Sequence, residues 1–246
     1  MDIELKEDYV VEIEDVDFLG HMNLLGLARN MQNIAVHHAD LVGLGFYKDE
    51  VKPTYYWVVS RVKYILNKNL SWKDKFSLNT YIAGNQKLFG VRLADIMKGP
   101  HETIGKIIMN YILLDADKGR PLRISPEIGE GVVAKEYQGE SLEKLGLPTT
   151  IIAEEKRKAR YSEIDVNGHM NNVQYVKWIL DMLPLDFYRE KEVETLQINY
   201  NKPIMYQDKI KIILGTVKEA GYRIAGISLD GKINYFTAHM TFRECS

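Results

Sequence analysis

Two stretches of the chain carry apolar residues at three- and four-residue steps, the spacing that gathers them on one face of a helix. The first is Leu24, Leu27, Ala28, Met31, Ile34 and Ala35; the second is Val173, Val176, Ile179, Leu180 and Leu183. Pro184 stops the second, because proline cannot continue the backbone ladder. Elsewhere Val, Ile, Tyr and Thr dominate in partly alternating runs, which predict strands. Such runs cover 55–66, 76–83, 89–97 and 103–114 after the first helix, and 192–200, 209–217, 222–229 and 233–242 after the second. Short strands are also expected before each helix, at 9–13 and 159–164. Gly84-Asn85, Lys98-Gly99-Pro100, Ala220-Gly221 and Asp230-Gly231 supply the turns.

Each half therefore reads strand, helix, four strands. A long antiparallel sheet curled around one largely apolar helix satisfies this order, and the class is α+β. The expected division is an N-terminal domain over 1–130, a connecting segment over 131–150 and a C-terminal domain over 151–246. The stretch from Lys118 to about Thr150 is rich in Gly and Pro, and its length implies that part of it packs.

The halves share more than a pattern. Asp17-Phe18-Leu19-Gly20-His21-Met22-Asn23 matches Asp165-Val166-Asn167-Gly168-His169-Met170-Asn171 at five of seven positions, at an offset of 148 residues. Each copy stands just before a predicted helix, which makes the chain a duplication.

Composition narrows the function classes. The 246 residues are 46% hydrophobic and 27% charged, ordinary for a globular protein able to bury a core. A net charge of -2 argues against a general nucleic-acid binder. The one cysteine, Cys245, makes no internal disulfide and no metal pattern, so a reducing, cytoplasmic compartment is expected. The acidic start MDIELKEDYV lacks the apolar region of a signal peptide, and no apolar run approaches the length of a membrane span.

The second loop gathers chemistry. Asp165, Asn167 and His169 lie within five residues, on a turn that Gly168 sharpens. A histidine exchanges protons near neutral pH. An aspartate accepts a proton, holds the imidazole tautomer, or attacks directly. An asparagine donates to a carbonyl oxygen or positions water. The following helix start offers backbone N–H groups and a positive dipole end, suited to the oxyanion of acyl transfer. Asp and Asn before a helix are also common caps, and it is the duplication of the whole cluster that favours chemistry.

The stretch from Arg160 to Asn172, with Tyr175 and Trp178, resembles the second-half motif of bacterial acyl-acyl carrier protein (acyl-ACP) thioesterases. Trp57-Val58-Val59-Ser60-Arg61, Trp72-Lys73-Asp74, Arg92 and Leu114-Asp115 fit the first half of that family. The resemblance implies two tandem hotdog folds, each a curled antiparallel sheet around a long helix. It implies hydrolysis of fatty acyl thioesters on acyl carrier protein, in fatty acid biosynthesis, with no metal and no cofactor. Its catalytic residues map onto Asp165, Asn167 and His169. The expected partner is acyl carrier protein bearing acyl-phosphopantetheine, with a homodimer as a further assembly, no nucleic acid and no membrane insertion. Which group is base and which nucleophile stays open, as does chain length.

Two departures matter. The family often carries a Glu in a Tyr-x-x-Glu context; here Tyr200-Asn201-Lys202-Pro203 places Pro203 there. The first loop has Leu19 at the Asn167 position, which leaves Asp17 and His21 as a minority site or a relic. The alternatives are an acyl-CoA thioesterase of the simpler hotdog kind and an acyl-thioester-binding module without catalysis.

Other candidates yield structural readings. His37 and His38 face different directions on a helix, and His101 and His239 fall in a turn and a strand. Gly129-Glu130-Gly131 resembles a dinucleotide fingerprint without the βαβ context. Lys156, Arg157, Lys158 and Arg160 form a basic run fit to dock an acidic protein, balanced by Glu154 and Glu155. The longer first helix makes its half the expected holder of the acyl chain, around Met31 and Ile34.

Overall fold

A computed structural model describes residues 4–45, 54–124, 136–218 and 220–245. The chain divides into two compact units, 1–142 and 143–246. Gly129-Glu130-Gly131 lies outside the described residues.

The first unit contains β1 (Glu4–Val10), α1 (Leu24–Leu41), β2 (Tyr55–Leu66), β3 (Lys75–Gln86), β4 (Phe89–Met97) and β5 (Thr103–Asp115). Its strands pair antiparallel in the order β1-β3-β4-β5-β2. The second contains β6 (Thr150–Lys158), α2 (Asn172–Leu180), the short turn α3 (Phe187–Glu190), β7 (Lys191–Tyr200), β8 (Lys209–Thr216), β9 (Tyr222–Ser228) and β10 (Asn234–Glu244). They pair antiparallel in the order β6-β8-β9-β10-β7, the same topology element for element.

The helix stripes do what their spacing requires. Leu24, Leu27, Ala28, Met31, Ile34 and Ala35 are all buried, as are Val173, Tyr175, Val176, Trp178 and Ile179 of α2. Leu78, Ala94, Ile96 and Ile107 complete the first core; Leu196, Ile198, Ile212, Ile224, Phe236 and Met240 complete the second. Residues 136–149 do not dangle. Leu142 joins Val91, Leu93 and Ile108 in one apolar cluster of the first unit. In the second, the carbonyl of Glu143 accepts from Gln197 and Asn199, and that of Leu145 from Thr237.

The structure departs from the expected elements in two places. The strands before the loops lie earlier, at Glu4–Val10 and Thr150–Lys158, and a 3-10 turn fills the gap in each copy (Ile13–Asp15 and Tyr161–Glu163). In addition, α2 ends at Leu180, so it has 9 residues where α1 has 18. The duplication holds at 148 residues through the loop and the helix start, then falls to 134 in the strands. Val11 N–H donates to Asp74 O and Ala159 N–H to Asp208 O, while Lys73 and Gln207 occupy matching left-handed corners. The fourteen residues of difference fall between the helix start and the next strand.

Candidate active site

The second loop is closed by its own backbone. Asp165 N–H donates to His169 O at 2.9 Å, and Gly168 N–H donates to Asp165 O at 3.0 Å. Gly168 takes φ +78°, a left-handed conformation that costs a side-chain-bearing residue energy. The loop is then pinned to the strand corner before β8: Met170 N–H donates to Ile204 O at 2.8 Å, and His169 forms a bridge with Met205. Ile204 is held in turn, its N–H donating to the buried Tyr175 hydroxyl at 3.3 Å. The Tyr175 ring is wedged edge-on between Tyr200 and Phe236, at 5.1 and 5.3 Å between centroids. Burial raises the Tyr175 phenol above its ordinary range, and the nearby Asp165 and Asp208 carboxylates add to that rise.

This scaffold brings Asp165 and His169 together. Nδ1 of His169 stands 3.8 Å from Asp165 Oδ1, an ion-pair distance rather than a formed hydrogen bond. Oδ1 accepts the Asn167 N–H at 2.8 Å, and among the described residues Oδ2 accepts no hydrogen bond. Both side chains are part-exposed and Asn167 is exposed, its side-chain amide unengaged among the described residues. His169 Nδ1 also lies 3.4 Å from Met170 O, so one carboxylate oxygen, the imidazole Nε2 and one amide are open to a ligand.

The first loop repeats the backbone and not the side-chain arrangement. Gly20 takes φ +80° and its N–H donates to Asp17 O. The Asp17 carboxylate, however, accepts two backbone N–H groups, Leu19 at 2.8 Å and His21 at 3.0 Å. Both bonds fall on Oδ1, and among the described residues no imidazole stands within ion-pair distance of Asp17 as His169 does of Asp165.

Capping falls to neither aspartate. Asn23 accepts from Gly26 N–H and Asn171 from Val173 N–H, so the residues after Met22 and Met170 are the caps. Two of the helix-start donors expected for an oxyanion are consequently occupied, Val173 N–H by Asn171 Oδ1 and Gln174 N–H by Asn171 O. Asn172 N–H makes no such bond among the described residues.

Pro203 is exposed, one residue before Ile204, and brings no acid to the loop. The neighbouring carboxylate, Asp208, is engaged with Met205 N–H at 2.9 Å, as Asp74 is with Ser71 N–H in the first unit, so it forms the turn. The remaining candidates are dispersed. His37 is exposed and pairs with Glu7 at 2.8 Å, His38 is buried against Arg92, His101 is exposed, and His239 meets Ala220 O. Arg157 of the basic run is bound to Glu155 and Asp181, while Lys156 and Lys158 are exposed. Among the described residues no cluster of His, Cys, Asp or Glu could hold a metal ion, and no helix is long and apolar enough to cross a membrane.

The acyl-ACP thioesterase N-terminal domain matches residues 3–132, and the acyl-ACP thioesterase C-terminal domain matches residues 149–240. The chain belongs to the acyl-ACP thioesterase family. Among relatives in this family, the oleoyl-acyl carrier protein thioesterase of Coriandrum sativum is 22% identical over 85% of this chain and 61% of its own length. A dodecanoyl-[acyl-carrier-protein] hydrolase of Umbellularia californica is 24% identical over 85% of this chain and 58% of its own length. The chain thus spans about three fifths of these two relatives. Among solved structures, an acyl-ACP thioesterase from Bacteroides thetaiotaomicron superposes with TM-score 0.85 at 22% identity, covering 98% of both chains. The 12:0-ACP thioesterase of Umbellularia californica gives 0.84 at 18% identity, again over 98% of both. At such identities the superpositions establish a shared fold.

Sequence reasoning missed three supports of the loop: the Tyr175 hydroxyl beneath Ile204, the Asp208 turn, and the Glu163 carboxylate that accepts from Trp178 Nε1 at 2.8 Å. The only signals available were that Tyr175 and Trp178 are aromatics with a polar tip on an otherwise apolar helix face.

Proposed function

We propose that this chain hydrolyses acyl thioesters carried on acyl carrier protein and releases free fatty acid, with Asp165, Asn167 and His169 as its catalytic residues. The observation that carries the reading is the asymmetry of the two loops. Among the described residues both aspartates keep Oδ2 free of hydrogen bonds, and only the second loop adds an imidazole 3.8 Å from its carboxylate and an unengaged amide side chain. Family membership supplies the substrate class. Each unit is read as a hotdog domain, with domains over 1–130 and 151–246 joined by 131–150, and the compartment as cytoplasmic. The first unit, whose α1 is twice the length of α2, takes the acyl chain.

Water adds to the thioester carbonyl and loses a proton to Asp165, whose Oδ2 is free to accept it. His169 takes that proton from Asp165 and delivers it to the departing thiolate sulfur. Asn167 holds the carbonyl or the water, and Asn172 N–H is the helix-start donor left for the oxyanion. The carbon–sulfur bond breaks, giving a fatty acid and the free phosphopantetheine thiol. Direct attack by Asp165 gives the same products through an anhydride. After one turnover in ¹⁸O-water, label in the Asp165 carboxylate with unlabelled fatty acid shows an anhydride opened at the aspartyl carbon, whereas the general-base route labels the fatty acid alone.

A panel of acyl-ACPs of differing length and saturation, assayed for free acid beside matched acyl-CoAs, tests the function. Asp165→Ala and His169→Ala are expected to lose about 10²–10⁴ in kcat. Folded variants at the parent rate refute the assignment. Tight acyl-thioester binding without turnover, which the absence of an acid at Pro203 favours, makes the chain a binding module instead.

A further inference from the structure

The second sheet carries charge on its outer face that the fold does not balance. Side chains alternate along a strand, so β6 divides the basic run between two faces. Arg157 points to the α2 side, where it binds Glu155 and Asp181 and lies 5.8 Å from the Trp178 ring centroid. Lys156 and Lys158 point the other way. There they meet two lysines from outside the run: Lys156 is opposite Lys211 of β8, and Lys158 is opposite Lys209. Residues directly opposite in an antiparallel pair hold their Cβ atoms about 5 Å apart, and like charges in that position destabilise the sheet. Lys156, Lys158 and Lys209 are exposed and make no ion pair among the described residues. Lys211 has Glu154 at 3.8 Å, so four cations share one carboxylate partner.

The first unit supplies an internal control. At the equivalent places on β1 and β3, Asp8 is opposite Ser77 and Val10 is opposite Lys75. That ladder holds one cation and one anion. A lysine on an edge strand discourages unwanted strand pairing, but Lys209 and Lys211 stand on β8, which is paired on both sides. Edge protection therefore does not account for them.

The lysine ladder ends at the candidate loop. Ala159, directly after Lys158, donates its N–H to Asp208 O and accepts from Gln207 N–H. Lys209 follows Asp208, whose carboxylate accepts from Met205 N–H, and Met205 bridges His169. Elsewhere on the same face the connecting segment packs against the sheet. The carbonyls of Leu145 and Gly146 accept from Thr237 and Arg223, which register places on the lysines' side. The exposed lysines lie at the end beside the loop.

We propose that this lysine face docks acyl carrier protein. Charge and place select the partner. Acyl carrier protein is acidic and presents its acyl group on a flexible arm, so its body rests beside the reacting groups and not on them. A cationic surface that stops at the corner bridged to His169 meets both needs. Such charges speed encounter and orient the partner, and salt screens their effect. The docking rests on the reading that the chain hydrolyses carrier-bound thioesters at the loop of Asp165 and His169.

The test combines Lys156→Gln, Lys158→Gln, Lys209→Gln and Lys211→Gln, and assays one acyl group carried either on acyl carrier protein or on free pantetheine. KM for acyl-ACP is expected to rise about tenfold or more with kcat kept, while acyl-pantetheine hydrolysis is unchanged. Added salt should lower kcat/KM for acyl-ACP more steeply in the parent than in the variant. An unmoved KM for acyl-ACP, or an equal loss on both substrates, overturns the proposal. So does an equal rise in KM when Lys6→Gln and Lys75→Gln neutralise the equivalent edge of the first unit. Should the fourfold variant fail to fold, Lys156→Gln with Lys158→Gln decides by the same criteria. Failure to hydrolyse either substrate refutes the thioesterase reading alone. Fluorescence anisotropy of labelled holo-acyl carrier protein then decides the docking: a Kd about tenfold weaker in the variant supports it, and an equal Kd overturns it. Binding to phosphatidylglycerol vesicles with no affinity for the carrier protein makes the face a membrane contact and also overturns it.

Discussion

Gly20 and Gly168 permit a controlled test of which loop performs chemistry. They sit at φ +80° and +78°, and in both cases a methyl group added at Cβ meets no atom within 4 Å. Substitution by alanine is therefore free of clash, and its cost is that of the left-handed backbone alone, about 1–2 kcal/mol. Alanine also restricts the unfolded chain, which returns about 0.4–1 kcal/mol. The net loss is about 1 kcal/mol at either site, a fall in Tm of about 2–4 °C for a chain of this size. Stability should fall equally in Gly20→Ala and Gly168→Ala. Turnover should not. Relaxing φ at Gly168 shifts the Asp165–Gly168 and Asp165–His169 backbone bonds that fix the 3.8 Å carboxylate–imidazole distance. Displacements of about 1 Å at a reacting centre cost on the order of 10²-fold. Gly168→Ala is expected to lose at least about tenfold in kcat while Gly20→Ala keeps the parent value. Thermal unfolding and free-acid release on the two purified variants provide both readouts. Equal losses of turnover at equal stability would refute the assignment of chemistry to the second loop.

Three further expectations follow from the same geometry. Pro203→Glu returns an acid beside the loop and is expected to raise kcat at least about tenfold; a folded variant no faster than the parent shows that the loop does not lack an acid. Asn23→Ala and Asn171→Ala each remove a cap and should cost about 1 kcal/mol in urea unfolding, with unchanged stability ruling out the capping roles. Tyr175 has a folded pKa raised above its ordinary 10.0, so its contribution is complete below pH 10.0 and is lost as pH rises toward the folded value. Denaturation midpoints should fall above pH 10.0, less steeply in Tyr175→Phe, and parallel curves would contradict the burial argument.

Much of this architecture was legible because periodicity reports burial. The runs at 55–66 and 89–97 coincide with β2 and β4, and the two apolar helix stripes are buried as spaced except at Leu180, which is half-buried. The strands before the loops were misplaced because Ile13 and Tyr161 look like strand residues, yet they sit exposed in 3-10 turns. The length of α2 was overread because Leu183 continues the stripe after the helix has ended; it is buried by the following turn instead. The candidate loop was visible through its repetition. Its supports were not, since Tyr175 reaches Ile204 across 29 residues, and Asp17 differs from Asp165 in a second backbone N–H on its Oδ1 and in having no imidazole within ion-pair distance among the described residues. Such differences belong to three-dimensional hydrogen-bond allocation, which residue types alone do not encode.

The two copies differ in length between a helix start and the next strand, and that location has an evolutionary consequence. A one-residue slip inside a strand turns every later side chain to the opposite face. Length added between α1 and β2 leaves the pairing partners of both strands untouched. The first helix runs about 27 Å and the second about 14 Å at 1.5 Å per residue, so the interior of one copy could lengthen while its sheet stayed fixed. Helix length and sheet register are thus separately heritable in this fold, and one copy can change the first without re-solving how to fold.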